Sequence, residues 1–403
     1  MRESYVFDGI RTPFGRYGGI LANLRPDAMM SATIIELLNK YPQIRDHIED
    51  VIVGDSNQAG EDSRNIARNA LLLSGLPYSI PGITVNRLCG SGLSAAIHAD
   101  NAIKSDEGDL FIAGGVESMT RAPLVMAKAE KAYNRSIAIA DSTIGWRFPN
   151  QRLLSQYGSE SMPETAENIA LKFKITREES DQYAFQTQMR YENARSSGFY
   201  DDEIMTVEVP NLRKNQPAIK INEDEHPRPD TSLEKLSLLK SLHKDGIVTA
   251  GNASGVNDGA ATLIIGSEKA SNQLNIKPIA RIVASAVVGV EPRLMGLGPV
   301  PASKKVLERT GLKLDDMDLI EINEAFAVQV LGCLRELNLS SDDPRVNPNG
   351  GAIAIGHPLG ASGSRLLLTA SRELKRRKGK YALVTLCIGI GQGVATVIES
   401  IDQ

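Results

Sequence analysis

Short apolar, β-branched runs recur along the chain, separated by turn residues from stretches with helical spacing. Residues 51–55, 83–87 and 110–115 read as buried strands, and the stripe Leu93, Ala96, Ile97 and Ile103 predicts a helix between the last two. In the C-terminal part, residues 281–290, 318–322, 381–388 and 394–399 read as strands, and residues 301–309, 324–337 and 362–376 as helices. This alternation predicts an α/β architecture in which helices cover sheet faces. Between about residues 121 and 245 the pattern changes. Prolines scatter, charges cluster as in Glu223-Asp224-Glu225, and strand-like runs are few. With a helical stretch over 177–196, this middle reads as a mainly helical, loop-rich insertion of the kind that shapes a pocket over a rigid scaffold.

A faint internal repeat links the two ends. Residues 49–53, Glu-Asp-Val-Ile-Val, resemble residues 317–321, Met-Asp-Leu-Ile-Glu, and Asp50 lies 268 positions before Asp318. Cys89 and His357 are also 268 apart, and each follows a strand-like run and precedes a Gly/Ser-rich helix start. Two similar halves, face to face, would bring these loops together. Coincidence explains the equal offset about as well.

Length and charge narrow the classes. A chain of 403 residues is too long for one core and predicts two or three packed units. A net charge of -4 gives no basic field for nucleic acid, so a phosphorylated substrate would need a local basic pocket. No apolar run reaches the roughly 18 residues of a membrane span. The start, MRESYVFDGIRTPFGRYGG, lacks a signal-type apolar run, which together predict a cytoplasmic protein. Cys89, Cys333 and Cys387 have no C-x-x-C spacing, which disfavours disulfides and structural zinc.

Each thiol is then read by its context. Cys89, in Asn86-Arg87-Leu88-Cys89-Gly90-Ser91-Gly92, falls between a strand and an apolar-striped helix. There the unpaired amides and the dipole of a helix start would favour thiolate, and glycines would let a substrate approach. A buried structural cysteine is the competing reading. His357, framed by glycines in Gly-His-Pro-Leu-Gly, is placed to take a thiol proton or, equally, to cap a loop carbonyl. Cys387 ends an apolar strand in Cys-Ile-Gly-Ile-Gly-Gln-Gly. Those glycines lead into another strand rather than a helix, so they are no dinucleotide fingerprint. They offer amide N–H groups to an oxyanion, and the thiol itself suits proton transfer at carbon. Cys333, with Val330, Leu334 and Leu337 at helical spacing, reads as core. Asn323 begins the predicted helix at 324 and reads as an N-cap or as a holder of an active-site water. His47, His98, His226 and His243 read as ordinary surface or core residues.

The segments NRLCGSGLSAA, GGVESMTRAP, TAGNASGVNDGA, NEAFA, NPNGGAIAIGHPLGASG and LCIGIGQG resemble the thiolase family in order and spacing over essentially the whole chain. The resemblance implies two similar halves in a five-layer αβαβα arrangement with an inserted loop domain. That gives residues 1–120 completed by about 246–275, an insertion over 121–245, and a second half over 276–403. It implies Cys89 as acyl-accepting nucleophile, His357 as its base, and Cys387 as general acid and base. It further implies that Asn323 holds a water which, with His357, polarises the thioester oxygen. The amides of Cys89 and Gly389 would form a second oxyanion site, and Ser254 would lie beside the pantetheine arm. Acyl-CoA and coenzyme A are the implied partners, with no metal or redox cofactor, in a homotetramer built as a dimer of dimers.

Within the family, residues 141–148 and 157–165, including Trp146, Arg147, Ser161 and Met162, look like the thiolases of 3-oxoadipyl-CoA in aromatic-compound catabolism. Acetoacetyl-CoA thiolases usually carry His-Met where Ser161-Met162 stand. Relatives commonly have a Pro after a basic residue where Leu239-Lys240-Ser241 stand, which leaves the coenzyme A phosphate contacts open. A substrate carboxylate needs a cation, and Arg147 is the leading candidate, with Arg121 and Arg152 as competitors. A solvated Arg147, or one bracing its loop against Asp141, is the plainer reading. The alternatives are a thiolase for acetoacetyl-CoA or straight-chain 3-oxoacyl-CoAs, and a non-catalytic acyl-CoA carrier.

Overall fold

The apolar runs pair into one continuous 10-stranded sheet in a computed structural model, which describes residues 2–401 apart from 212 and 214. Strands β1 (Ser4–Arg11), β2 (Asp50–Gly54), β3 (Gly82–Val85), β4 (Leu110–Ser118) and β5 (Asn257–Ser267) form one half, in the order β1-β5-β4-β2-β3, with a two-residue tenth strand, Gly15–Arg16, paired to the start of β5. Strands β6 (Ala280–Gly289), β7 (Leu319–Ile322), β8 (Tyr381–Ile388) and β9 (Gln392–Ser400) form the other, in the order β6-β9-β8-β7. The halves join where β1 runs antiparallel to β6, with Tyr5 opposite Arg281.

The repeat is real in three dimensions. β2 pairs in parallel with β4, as β7 does with β8; β2 is also parallel to β3, and the remaining neighbours in each half are antiparallel. Even an irregularity recurs: the register shifts between Val6 and Asp8 in β1 and between Ile282 and Ala284 in β6. A bulge repeated at the matching place is a built feature of both halves rather than a defect.

The longer helices are α1 (Pro26–Lys40), α2 (Ile66–Leu73), α3 (Ser91–Lys104), α4 (Met162–Phe173), α5 (Arg177–Ser196), α6 (Pro299–Thr310), α7 (Ala327–Glu336) and α8 (Leu359–Arg376). Met29, Ile34 and Leu37 of α1 pack on Val51, Ile112 and Ile264, covering the outer face of the first half. Val306 of α6 and Val330 of α7 do the same against Leu383 and Val397 of the second. Between the halves, Leu93, Ala96 and Ile103 of α3 and Leu366, Leu367 and Leu374 of α8 share a core with residues of both sheets, such as Ala113 and Val384. Helix, sheet, helix, sheet and helix thus stack as five layers. α8 is buried almost throughout, its Leu366, Leu367 and Leu374 packed in that core and its other faces carrying small or polar residues such as Ser364, Thr369 and Ser371.

Differences from the sequence reading have local causes. The chain leaves the first sheet after Ser118 and returns at Asn257. The excursion is not mainly helical: α4, α5 and two shorter helices, Gln151–Tyr157 and Leu233–Ser237, cover a minority of it, most of the rest is loop, and two small hairpins pair Leu124–Met126 with Ile139–Asp141 and Val207–Val209 with Ile219–Ile221. Three-residue strands are too short to carry a period. β5 has no β-branched run at its start because a Cβ on Gly259 would collide with the Phe14 ring. The helix expected over 324–337 starts at Ala327, with extended Phe326 as its cap, so Asn323 is not an N-cap. Among the described residues, no helix is long and apolar enough to cross a membrane.

Candidate active site

β3 delivers the chain to the Cys89 loop. Asn86 fixes that loop from both ends of its amide: Oδ1 accepts the Leu88 N–H at 2.9 Å and Nδ2 donates to Ser56 O at 3.0 Å. Leu88 is left-handed at φ +46, and the turn Leu88–Gly90 feeds α3. The sulfur of Cys89 faces its own amide N–H and that of Gly389. Burial nonetheless dominates and pushes the thiol up to about 11, with the charge of Glu117 adding to the rise. The thiolate expected of a helix start does not form at rest. Two amides do not outweigh desolvation, and the resting group is a thiol that needs a base.

His357 is held for that task. Its backbone N–H donates to Asn257 Oδ1 at 2.9 Å, and its ring Nδ1 lies 2.6 Å from Ser362 Oγ. Nε2 is 3.3 Å from Asn323 Nδ2. Burial, and after it the charge of Arg365, depress its pKa to about 3, so the ring is neutral. The loops of Cys89 and His357 are brought together by their helices. A Cβ on Gly92 of α3 would stand 2.5 Å from Gly360 O of α8, so the two helix starts touch backbone to backbone. Gly92 and Gly360 are themselves 268 positions apart.

Cys387 ends β8 opposite Gly393. It is buried, and desolvation followed by the neighbouring Cys89 and Cys333 holds its thiol far above the usual range. Asn323 follows β7, donates its N–H to Thr385 O at 3.0 Å, and has a buried Oδ1 with no protein partner. A neutral thiol and a neutral imidazole on loops whose helix starts touch, with a second protonated thiol and two converging amides, can form and release an acyl-thioester while moving a proton to carbon. Cys333 is core, its sulfur donating to Gly296 O at 3.2 Å.

The outlying candidates divide. Met162 begins α4, and a Cβ on Gly389 would meet its sulfur at 3.6 Å, so it borders the thiol site. The N–H of Ser254 donates to Ala325 O at 2.9 Å, tying that strip to the Asn323 loop. Next to it, a cavity of about 360 Å³ is lined by His226, Arg228, Lys235 and Gly251. Arg147 is half-buried and donates to Asn57 Oδ1 at 3.1 Å, a brace of its loop that does not involve Asp141. Arg121 is committed to Glu61, whereas Arg152 is exposed.

Three residues at the site escaped the sequence reading. Asn257 holds the His357 backbone, Ser362 holds its ring, and Glu117 accepts the N–H of Gly360 at 2.9 Å while binding the hydroxyl of Ser56 at 2.8 Å. Each stands inside a family-like segment, yet none has a period or a residue type that betrays its role. His226, read as ordinary, lies 3.4 Å from Asn257 Nδ2, and burial and then Arg228 depress its pKa to about 4.

Residues 4–269 match the thiolase N-terminal domain family, and residues 276–400 match the thiolase C-terminal domain family. The chain is 57% identical over 403 residues, the whole of both chains, to an Escherichia coli 3-oxoadipyl-CoA/3-oxo-5,6-dehydrosuberyl-CoA thiolase. It is 53% identical over 403 residues, again the whole of both, to an Acinetobacter baylyi beta-ketoadipyl-CoA thiolase. Human mitochondrial 3-ketoacyl-CoA thiolase has a similar structure, with a TM-score of 0.90 at 41% identity over 99% of each chain. The Bacillus anthracis acetyl-CoA acetyltransferase gives 0.91 at 36% identity, over 100% of this chain and 99% of that one.

Proposed function

The chain belongs to the thiolase family, and from that premise we propose that it cleaves 3-oxoadipyl-CoA with coenzyme A, giving succinyl-CoA and acetyl-CoA. The observation that carries the substrate is the unbroken full-length likeness, at 57% identity, to a thiolase named for it.

In this reading Cys89 passes its proton to Nε2 of His357, and the sulfur attacks the 3-keto carbon. The oxygen of the adduct is held by the amides of Cys89 and Gly389, which already converge on the sulfur. The bond between C2 and C3 breaks, and its electron pair leaves with acetyl-CoA as an enolate. A water held by Asn323, together with His357, stabilises that enolate, and Cys387 protonates C2. Coenzyme A gives its proton to the Cys387 thiolate and takes the succinyl group, while His357 returns its proton to the departing Cys89 sulfur. The high pKa of Cys387 supports its role as the acid, because a thiol protonated at rest has a proton to give. Ser254 borders the pantetheine arm, and Arg228 and Lys235 beside it suit the coenzyme A phosphates. Arg147 is the candidate for the far carboxylate.

A homotetramer fits the insertion, where Leu124, Met126, Tyr133, Ile137 and Ile139 are exposed together on or near one hairpin. A coupled assay across 3-oxoadipyl-CoA, acetoacetyl-CoA and a medium-chain 3-oxoacyl-CoA tests the function, and 3-oxoadipyl-CoA should have the highest kcat/KM. Preference for either other thioester would replace the substrate, and turnover of none would remove the activity.

A further inference from the structure

The hairpin from β8 to β9 turns through Gly389, Ile390 and Gly391, with Ile388 and Gln392 as its last pair. Gly391 has φ +82, and a Cβ there would collide with Val290 O, so only glycine fits. Ile390 is left-handed too, at φ +64. A β-branched side chain crowds its own backbone in that region, so the position carries strain that glycine would not. Packing does not offset it, because the Ile390 side chain is 46% exposed while Cys387 and Ile388 are buried. Strain that the core does not reward points to a use outside the core.

Its neighbours indicate which use. Ile390 follows Gly389, whose N–H faces the Cys89 sulfur. A Cβ on Gly389 would touch Leu88 Cδ1 at 3.4 Å and Met162 Sδ at 3.6 Å. Leu88 precedes Cys89 and is itself left-handed at φ +46. Two aliphatic residues in disfavoured backbone conformations therefore flank the two amides that converge on the thiol, with Met162 alongside.

We propose that Ile390 is a specificity-determining residue, forming with Leu88 and Met162 an apolar wall for the methylene chain of the acyl group bonded to Cys89. The assignment rests on the thiolase reading. A succinyl group has two methylenes to lay against such a wall, and an acetyl group has none.

The test compares Ile390→Gly, Ile390→Ala and Ile390→Val with the wild type on 3-oxoadipyl-CoA and acetoacetyl-CoA, alongside melting temperature and oligomer size. Ile390→Gly should melt no lower than the wild type, since the strain is relieved. Its kcat/KM for 3-oxoadipyl-CoA should fall on the order of tenfold relative to acetoacetyl-CoA, the loss expected when two methylenes lose their contact. Ile390→Ala should follow it, and Ile390→Val should restore the ratio. An unchanged ratio overturns the proposal, whether both activities fall together, neither falls, or only the oligomer size changes. Failure of the reading beneath it shows separately, as wild-type protein that does not cleave 3-oxoadipyl-CoA, and that result would overturn both.

Discussion

Nδ1 of His357 stands 2.6 Å from Oγ of Ser362, and that hydroxyl already donates to Pro358 O at 2.8 Å. With its one hydrogen committed, Ser362 can only accept, so Nδ1 carries the ring proton and Nε2 keeps its lone pair. Ser362→Ala removes that constraint on the tautomer. We expect kcat to fall about tenfold or more with KM little changed, and Ser362→Thr to recover part of the loss. Steady-state kinetics that match the wild type would show that Asn323 and packing suffice to hold the ring.

The two thiols should separate in their variants. Intact-protein and peptide mass spectrometry after brief mixing with substrate should place an acyl adduct on Cys89. Cys387→Ser should keep that acylation from an acyl-CoA donor but lose ~10²–10⁴-fold in carbon–carbon cleavage. A loss below about tenfold, or an adduct on Cys387, would reverse the assigned roles.

Acid should weaken the fold through its buried imidazoles. His357 and His226 titrate near 3 and 4 in the folded chain, and both would titrate near an ordinary ~6.5 once unfolded. Between those values only the unfolded chain binds the protons, so the stability from these neutral rings is full above pH ~6.5 and is lost as pH falls. His226→Gln should flatten the decline in melting temperature between pH ~6.5 and 4 relative to the wild type. Parallel curves for the two proteins would mean that His226 is not held neutral.

Arg147 has two uses to choose between. As the carboxylate partner, Arg147→Met should lower kcat/KM for 3-oxoadipyl-CoA, and not for an uncharged 3-oxoacyl-CoA of similar length, by the ~2–3 kcal/mol of a charged hydrogen bond. As a brace on Asn57, the same change should lower both equally. Arg152→Met, run in parallel, probes the exposed competitor.

Legibility in the sequence followed the physics of each element. The strand at 381–388 was readable to the residue because an uninterrupted buried run admits little else. β5 was hidden because Phe14 forces small residues into its start, erasing the β-branched signature. The start of α7 lies later than its pattern because Asn323 to Phe326 stay outside the helix: Ser254 donates to Ala325 O, and the Ala327 N–H turns to Asn252 O at 2.9 Å. These are tertiary bonds that no local pattern encodes. At the site, Cys89, His357, Cys387 and Asn323 were marked by glycines and strand ends, whereas their ionisation was not. Burial sets it, and burial comes from the distant segments packed around them.

The contact of Gly92 with Gly360 has a further consequence. In an association of two identical half-length chains, a position touching its own equivalent marks the two-fold axis, and both loops there would carry the same residue. A cysteine facing a histidine is impossible under that symmetry. Covalent joining of the halves removes the constraint: the glycines at the axis can stay alike while the loops beside them diverge. The nucleophile and its base are then two copies of one position, free to differ only because one chain encodes both.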